Sequence, residues 1–515
     1  MSTEDVDPTE EFVTDADGPE LEFYGGRVVS ALPILIFIGW AILQSALWRI
    51  SDTNGLVIGM LVGLIIGMFF VSGSWTGYAN TIFEGMTQPV AVTAIVAWLW
   101  AGMFAETLQV GGFVDGLVWL ADVVGVGPLL FPAITFVLAA VFVTGIGTGY
   151  GGTIAFVALF FPVGLLVGAN PVLMFGAILS GAIFGDNLAP VSDTTIVSAV
   201  TQDSDIGGVV ASRFKYAIVA AVVAFAAYVA ASSALPGLAI DGDPVAIIAD
   251  AAEPIGLIHL LSMGVVIVTA VVGRHIVEAI SWGIVAAVTF NLVFGLAPAS
   301  AMLVFRAPAD GPLVEPLAAL PILEVVDAGS VGVGGSFVDG VVGFFALSLL
   351  VLFIVAAAQI MIRGGAFEAI LDLTFDRFAT TVRRAEVTMV GSAALINAAI
   401  TINTAAEIAI GPYISKVGER FNINGYRRAN ILDANTAALG YIFPWSGGVL
   451  VGFETMQTLP GSFDWFDASM VVNPVDVFPY VFHGWLLVAV FLLAAITGFG
   501  REYVVDRESE EVARV

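Results

Sequence analysis

Apolar runs of about 20 residues, the length that carries an α-helix across a bilayer, recur from Val29 to Gly498. Runs such as Leu56 to Phe70 and Phe344 to Ile362 do not alternate polar and apolar residues as the strands of a transmembrane barrel must. In lipid every backbone N–H and C=O needs an internal partner, so helices are the remaining way across. Composition agrees, with 58% hydrophobic and 12% charged residues and a mean hydropathy of +0.97. The sequence predicts an all-α polytopic protein of the cell (plasma) membrane, multi-pass, with about 11 to 13 apolar segments.

The expected spans are 29–48, 54–72, 87–108, 128–145, 151–168, 172–198, 214–235, 256–273, 276–297, 338–362, 385–415, 429–453 and 477–499. The segments 172–198, 385–415 and 429–453 each carry a break. The first run follows an acidic leader and lacks a small-residue cleavage site, so it reads as a span and not as a removable signal. Phe113 to Val124 and Phe367 to Thr381 have the pattern of amphipathic helices at the interface. The Pro-, Gly- and Asp-rich stretches 236–255 and 298–337 hold no span and are expected to be exposed.

What distinguishes the chain is acid inside apolar sequence. Asp186 and Asp193, with Asn187, Ser192, Thr194 and Thr195, lie in GAIFGDNLAPVSDTTIV. Each acidic side chain at bilayer depth costs roughly 2.5 to 3.5 kcal/mol even on the lenient insertion scale, and persists where it faces a cavity, pairs, or carries ions. Pro190 has no N–H to offer the carbonyl of Asp186. Carboxylates, hydroxyls and a freed carbonyl suit a small hard cation, which secondary transporters bind on broken helices near the midplane. Asp193 is the first choice for a group alternating between proton and cation, although Ser192 and Asp193 also fit a helix N-cap.

A second set follows the same pattern. The Gly/Thr break at Val141 to Ile154 is followed by Asp186, as the polar stretch Asn397, Thr401, Asn403, Thr404 and Glu407 is followed by Asp433, Asn435 and Thr436. Each acid precedes a proline flanked by a hydroxyl, Pro190 with Ser192 and Pro444 with Ser446. The basic clusters Arg363 to Arg384 and Lys416 to Arg428 should both be cytoplasmic. The stretch between them is too short for two crossings, so a re-entrant hairpin is expected. Two internal repeats with broken helices and re-entrant hairpins result, with the site between them. The implied organisation is an acidic soluble tail 1–26, N-terminal spans 27–125, a first transport repeat 126–235, linker spans and exposed loops 236–337, a second transport repeat 338–500 and a charged tail 501–515. Asp433 should face the same cavity as Asp186, with Pro444 freeing the carbonyl of Gly440; the competing role for Asp433 is pairing with Arg427 or Arg428.

Charge narrows the setting. Asp and Glu number 44 against 17 Lys and Arg, a formal net charge of −27, and the lysines are Lys215 and Lys416 alone. Such a surface excludes nucleic acid as a partner and suggests a halophilic source, where salt screens self-repulsion. Cysteine is absent, so thiolate metal sites and disulfides are ruled out.

At these residues the chain resembles the NhaC-type Na⁺/H⁺ antiporter family of the ion transporter superfamily. Phe184 to Thr195, FGDNLAPVSDTT, is similar to the family's Asp…Ser-Pro-Leu-Ser-Asp-Thr-Thr signature, carrying over Asp186, Pro190, Ser192, Asp193, Thr194 and Thr195. Ile431 to Gly447, ILDANTAALGYIFPWSG, resembles the acidic segment leading into the Pro-Trp motif, carrying over Asp433, Thr436, Pro444, Trp445 and Ser446. The chain departs from the family in TGIGTGYGGT, where Tyr150 stands near the expected tryptophan, and in Ala189 before Pro190. The resemblance implies Na⁺ and H⁺ as transported ions, no cofactor, no enzymatic activity, the lipid bilayer as surroundings and a homodimer as one assembly open to it. The rival function is a sodium- or proton-coupled organic-acid carrier. Such a carrier would want an arginine for its anion, and the broken segments contain none, which favours a bare cation. An intramembrane aspartyl protease would want a Gly-x-Gly-Asp motif, which Asp186 lacks.

Overall fold

The structure is a computed structural model that describes residues 21–504 apart from 51, 191, 239–252, 312–313, 328–329, 367 and 370–377. Most of both expected tails, most of the 236–255 loop and most of the interfacial helix expected at Phe367 to Thr381 lie outside the described residues.

The N-terminal part comprises α1 (Leu32–Ala41), α2 (Thr53–Met68), α3 (Trp75–Met86), α4 (Pro89–Val110) and α5 (Phe113–Val124). Helix α3 was not anticipated, because its Gly, Asn and Glu residues read as a loop. It starts where the Ser74 hydroxyl accepts the Gly77 N–H at 3.2 Å, and buries Tyr78, Thr81 and Gly85. Helix α5 is amphipathic as expected, but its apolar face is buried in protein, against the residues from Pro254 to Ile258 and the helix beginning at Gly149.

Two arms, α6 (Phe131–Ile146) and α7 (Gly149–Leu166), are followed by α8 (Pro171–Leu188), the short α9 (Asp193–Thr201) and the long α10 (Ile206–Ala234). Helices α11 (His259–Val271) and α12 (Ile276–Val293) lead to a region expected as loop. There β1 (Val304–Pro308) pairs parallel with β2 (Leu323–Val326) and antiparallel with β3 (Gly332–Gly334). The span expected at 338–362 is interrupted at Gly343 and Phe344, giving α13 (Ser336–Val342) and α14 (Phe345–Arg363).

The last part is α15 (Val382–Ile400), α16 (Asn403–Arg420), α17 (Gly425–Leu439), α18 (Gly447–Ser462) and α19 (Phe482–Thr497). All three expected breaks are present, at 189–192, 401–402 and 440–446. The arms α6 and α7 pack on one another, as do α15 and α16. Their turns have the same backbone. Gly147 is left-handed (φ 76°) and Thr148 extended (φ −142°, ψ 119°); Thr401 is left-handed (φ 66°) and Ile402 extended (φ −113°, ψ 118°). A β-branched residue in that region costs roughly 1 to 2 kcal/mol, so the packing around Thr401 must hold it there.

Among the described residues eight helices are long and apolar enough to cross a membrane, with three shorter apolar ones beside them. The paired arms α15 to α18 are not among them: α17 and α18 have 15 and 16 residues, and α15 and α16 are too polar. Surroundings explain the polarity of α17, which is buried from Arg427 to Leu439, so protein replaces lipid around it. The outer helices differ. Val219, Val222 and Val223 of α10 and Val285, Leu292 and Val293 of α12 are exposed, presenting the apolar faces that a hydrocarbon solvent requires.

Candidate ion-coupling site

Four helix breaks meet in the interior. Pro190 stops α8 from continuing, and the chain restarts at α9 with Ser192 in the N-cap position. Ser192 does not cap through its side chain; its hydroxyl donates instead to Asp186 Oδ1 at 2.8 Å. Asp193 is the first residue of α9 and its Oδ1 accepts the Thr194 N–H at 3.0 Å. It therefore helps the helix start, as the capping alternative required, while its other oxygen is aimed elsewhere. Asp193 Oδ2 accepts the Thr404 hydroxyl at 2.6 Å.

Residues from the other break close on Asp186. Asn403 Nδ2 donates to Asp186 Oδ2 at 3.2 Å, and the Tyr441 hydroxyl donates to the same oxygen at 3.3 Å. The backbone of Gly149 lies within hydrogen-bonding reach as well. Gly149 has to be glycine: a Cβ there would lie 3.0 Å from Asp186 Oδ2 and closer still to the Tyr441 ring. Three helix N-termini, those of α7, α9 and α16, thus converge on two carboxylates.

A cavity of about 480 Å³ borders this pair. Its lining includes Thr148, Gly149, Tyr150, Asp186, Pro190, Asp193 and Thr404, together with Gly273, Arg274 and His275. Asp186 is buried, at 2% exposure, whereas Asp193 is half-buried and is the more accessible acid.

Asp433 is placed differently from the expectation. It lies off the cavity and forms an ion pair with Arg213 of α10, both side chains fully buried. Arg213 also donates to the Asn187 carbonyl at 2.6 Å and to Asn430 Oδ1 at 3.0 Å. Arg427 and Arg428, the alternative partners, are taken by Glu386 at 2.9 Å and by Ser415 and Glu419. The inference from an arginine-free site needs correcting too. The broken segments carry none, but the next helix delivers one. Pro444 does not leave the Gly440 carbonyl free either, since the Gly448 N–H donates to it at 3.0 Å. The Asp186 carbonyl accepts the Thr195 hydroxyl at 3.4 Å.

The remaining expected ligands divide. Ser192, Thr194, Thr195, Asn403 and Thr404 all join the carboxylates. Thr436 donates to Glu407 Oε1 at 2.6 Å. Asn187 and Asn435 turn their amide nitrogens onto their own helices, to the Ile183 and Ile431 carbonyls, and leave buried Oδ1 atoms without a donor. Ser446 bonds the Phe443 carbonyl at 2.7 Å and meets no acid. Sequence reasoning missed Tyr150, Tyr441, Ser198 and Arg213. For Arg213 a signal existed: the expected span 214–235 begins one residue after it, whereas the apolar helix starts at Ile206 and takes the arginine inside.

Four acids, Asp186, Asp193, Asp433 and Glu407, share the interior with one guanidinium. Ionised together they would leave three negative charges uncompensated, an arrangement that persists only by taking up cations or protons.

The profile of the Na⁺/H⁺ antiporter family matches residues 27–233 and 202–485. The chain belongs to the Na⁺/H⁺ antiporter family. Relatives of this family member include the malate-2H⁺/Na⁺-lactate antiporter of Bacillus subtilis, 29% identical over 36% of the chain and 38% of that protein. The Na⁺/H⁺ antiporter NhaC of Alkalihalophilus pseudofirmus is 23% identical over 32% of the chain and 35% of its own length. The chain thus matches under two fifths of each of these relatives. The solved structure of Neisseria gonorrhoeae MtrF aligns with 89% of this chain and 97% of that one, at 11% identity and a TM-score of 0.40. Family membership and the spanning helices make this a multi-pass protein of the cell membrane.

Proposed function

We propose that the protein exchanges Na⁺ for H⁺ by alternating access, with the carboxylates of Asp186 and Asp193 as the ion-coupling pair. One observation carries the reading: both acids face the cavity and neither has a basic partner among the described residues, whereas Asp433 is already neutralised by Arg213. Around them the hydroxyls of Ser192 and Thr404 offer the oxygen donors a hard cation takes, while the Asn403 amide nitrogen orients Asp186. The two breaks whose turns share one backbone support a construction from two repeats, with the site where their tips meet. Proton and cation then compete for one carboxylate, which is what couples their movement.

Everted vesicles reporting a proton gradient through an acridine dye test this. Addition of Na⁺ to vesicles with wild-type protein is expected to restore fluorescence, and Asp193→Asn is expected to abolish the response. Dequenching by Asp193→Asn at near wild-type rate would remove Asp193 from the coupling role.

A second reading, exchange of small carboxylates, has two supports: the substrates in the name of the Bacillus subtilis relative, and a cavity in the roughly 300 to 1,000 Å³ range of small-molecule sites with Arg274 in its lining. Arg213 cannot serve such an anion while Asp433, Asn430 and the Asn187 carbonyl occupy it. Uptake of labelled malate or lactate with no dye response to Na⁺, Li⁺ or K⁺ would establish the second reading.

A further inference from the structure

Glu407 sits one turn into α16, fully buried, and neither the cavity nor the coupling pair uses it. Its Oε1 accepts the Thr436 hydroxyl at 2.6 Å, and its Oε2 has no donor. Across from it Asp433 Oδ2 receives Arg213, Thr195 and Ser198, while Asp433 Oδ1 has no donor. The two residues meet at Thr436, whose hydroxyl donates to Glu407 Oε1 at 2.6 Å and lies 3.2 Å from the Asp433 carbonyl. Ionised, both would be acceptors only, and a buried pair of facing acceptors with no donor between them is strongly disfavoured. A single proton satisfies both. The charged groups facing Glu407 are Asp433 from α17, Arg213 from α10 and Asp193 from α9; with one arginine for Asp433, nothing else neutralises Glu407.

We infer that Glu407 and Asp433 hold one proton between them and form a proton site separate from the cation-binding pair. The inference rests on the proposed Na⁺/H⁺ exchange and adds a second titrating locus to it. A path joins the two. Thr194 lies within reach of Asp433, its hydroxyl is 3.0 Å from that of Ser192, and Ser192 bonds Asp186 Oδ1 at 2.8 Å. When Na⁺ occupies Asp186 and Asp193, the added positive charge favours ionised Glu407. As Na⁺ enters, the proton moves from the Glu407–Asp433 pair along the Thr194 and Ser192 hydroxyls, each accepting one proton and passing on another, to Asp186, which lines the cavity and releases it there. Asp433 stays paired with Arg213 throughout.

The test counts protons released when Na⁺ is added to purified full-length protein in detergent, by titration calorimetry in buffers of different ionisation enthalpy. Glu407→Gln keeps the shape and supplies an amide donor to Asp433, so it is expected to bind Na⁺ and release one proton fewer than wild type. Release equal to wild type would overturn the inference. So would loss of Na⁺ binding in folded Glu407→Gln, which would make the pair a cation site. Should Glu407→Gln not fold, Glu407→Asp retains an acid: a shifted pH midpoint of release supports the proton site, and an unshifted one overturns it. Absence of any Na⁺-linked release in wild type would instead fail the exchange reading itself.

Discussion

The Tyr150 hydroxyl donates to Asn403 Oδ1 at 2.9 Å, joining the first turn of α7 to the first residue of α16. With its oxygen held in this way, the Asn403 amide must present its nitrogen to Asp186. Tyr150 thereby sets the orientation of a group on the candidate carboxylate without touching that acid through its own hydroxyl. Tyr150→Phe removes a hydrogen bond of about 0.5 to 1.5 kcal/mol. The expected outcome is a rise of about 2- to 10-fold in KM for Na⁺, measured by dye dequenching in everted vesicles. An unchanged KM would show that the Thr404 N–H, which also donates to Asn403 Oδ1 at 3.1 Å, orients the amide alone.

Thr404→Val deletes the hydroxyl that bonds Asp193 Oδ2 while nearly preserving volume. Because the bond is to a charged acceptor, about 1.5 to 3 kcal/mol is at stake. Na⁺ affinity measured by calorimetry is expected to fall, with helical content by circular dichroism unchanged. Equal affinity would place Thr404 outside the ion's surroundings.

Arg213→Met should be the most damaging of the structural variants. It strands a fully buried carboxylate, Asp433, and breaking a buried ion pair from one side costs about 3 to 5 kcal/mol. Arg213→Met with Asp433→Leu removes both charges, and the double variant is expected to melt above Arg213→Met in detergent. If the second change recovers nothing, the Asn187 and Asn430 contacts of Arg213 outweigh its ion pair.

The prolines should not behave alike. An N–H at position 190 becomes available to the Asp186 carbonyl, so Pro190→Ala is expected to extend α8 and weaken Na⁺ stabilisation in a melting assay. Pro444→Ala should leave that stabilisation as it is, because the Gly440 carbonyl already has Gly448. Equal effects in the two variants would contradict this asymmetry.

The broken segments were legible because two independent signals coincide there: acids where apolar sequence demands none, and prolines or Gly/Thr pairs that cannot continue a helix. Asp186, Asp193 and Thr404 could be chosen on that basis. The pairing of Asp433 could not. Its partner comes from a helix whose start is 206, far from 433 in sequence, and residue type alone cannot say which of several arginines reaches inward. Neither Tyr150, noted only as a departure from the family pattern, nor Tyr441 was given a site role, since an aromatic residue in an apolar chain looks like core until its hydroxyl is seen against Asn403 or Asp186. Helix α3 was missed because burial against α14 stabilises it, and propensity read along one segment carries no trace of that contact.

The start of a helix carries about half a positive charge in the form of unpaired N–H groups, and α7, α9 and α16 all begin at the candidate carboxylates. This is an unusual surrounding for a cation, since it favours the bare anions and works against the ion they would hold. It also cannot be titrated away or moved without unwinding a helix. A cation resting there would be held against that repulsion, which weakens binding and eases departure. For a carrier whose cycle requires the ion to leave on the far side, the convergence of three helix starts trades tightness of binding for speed of release.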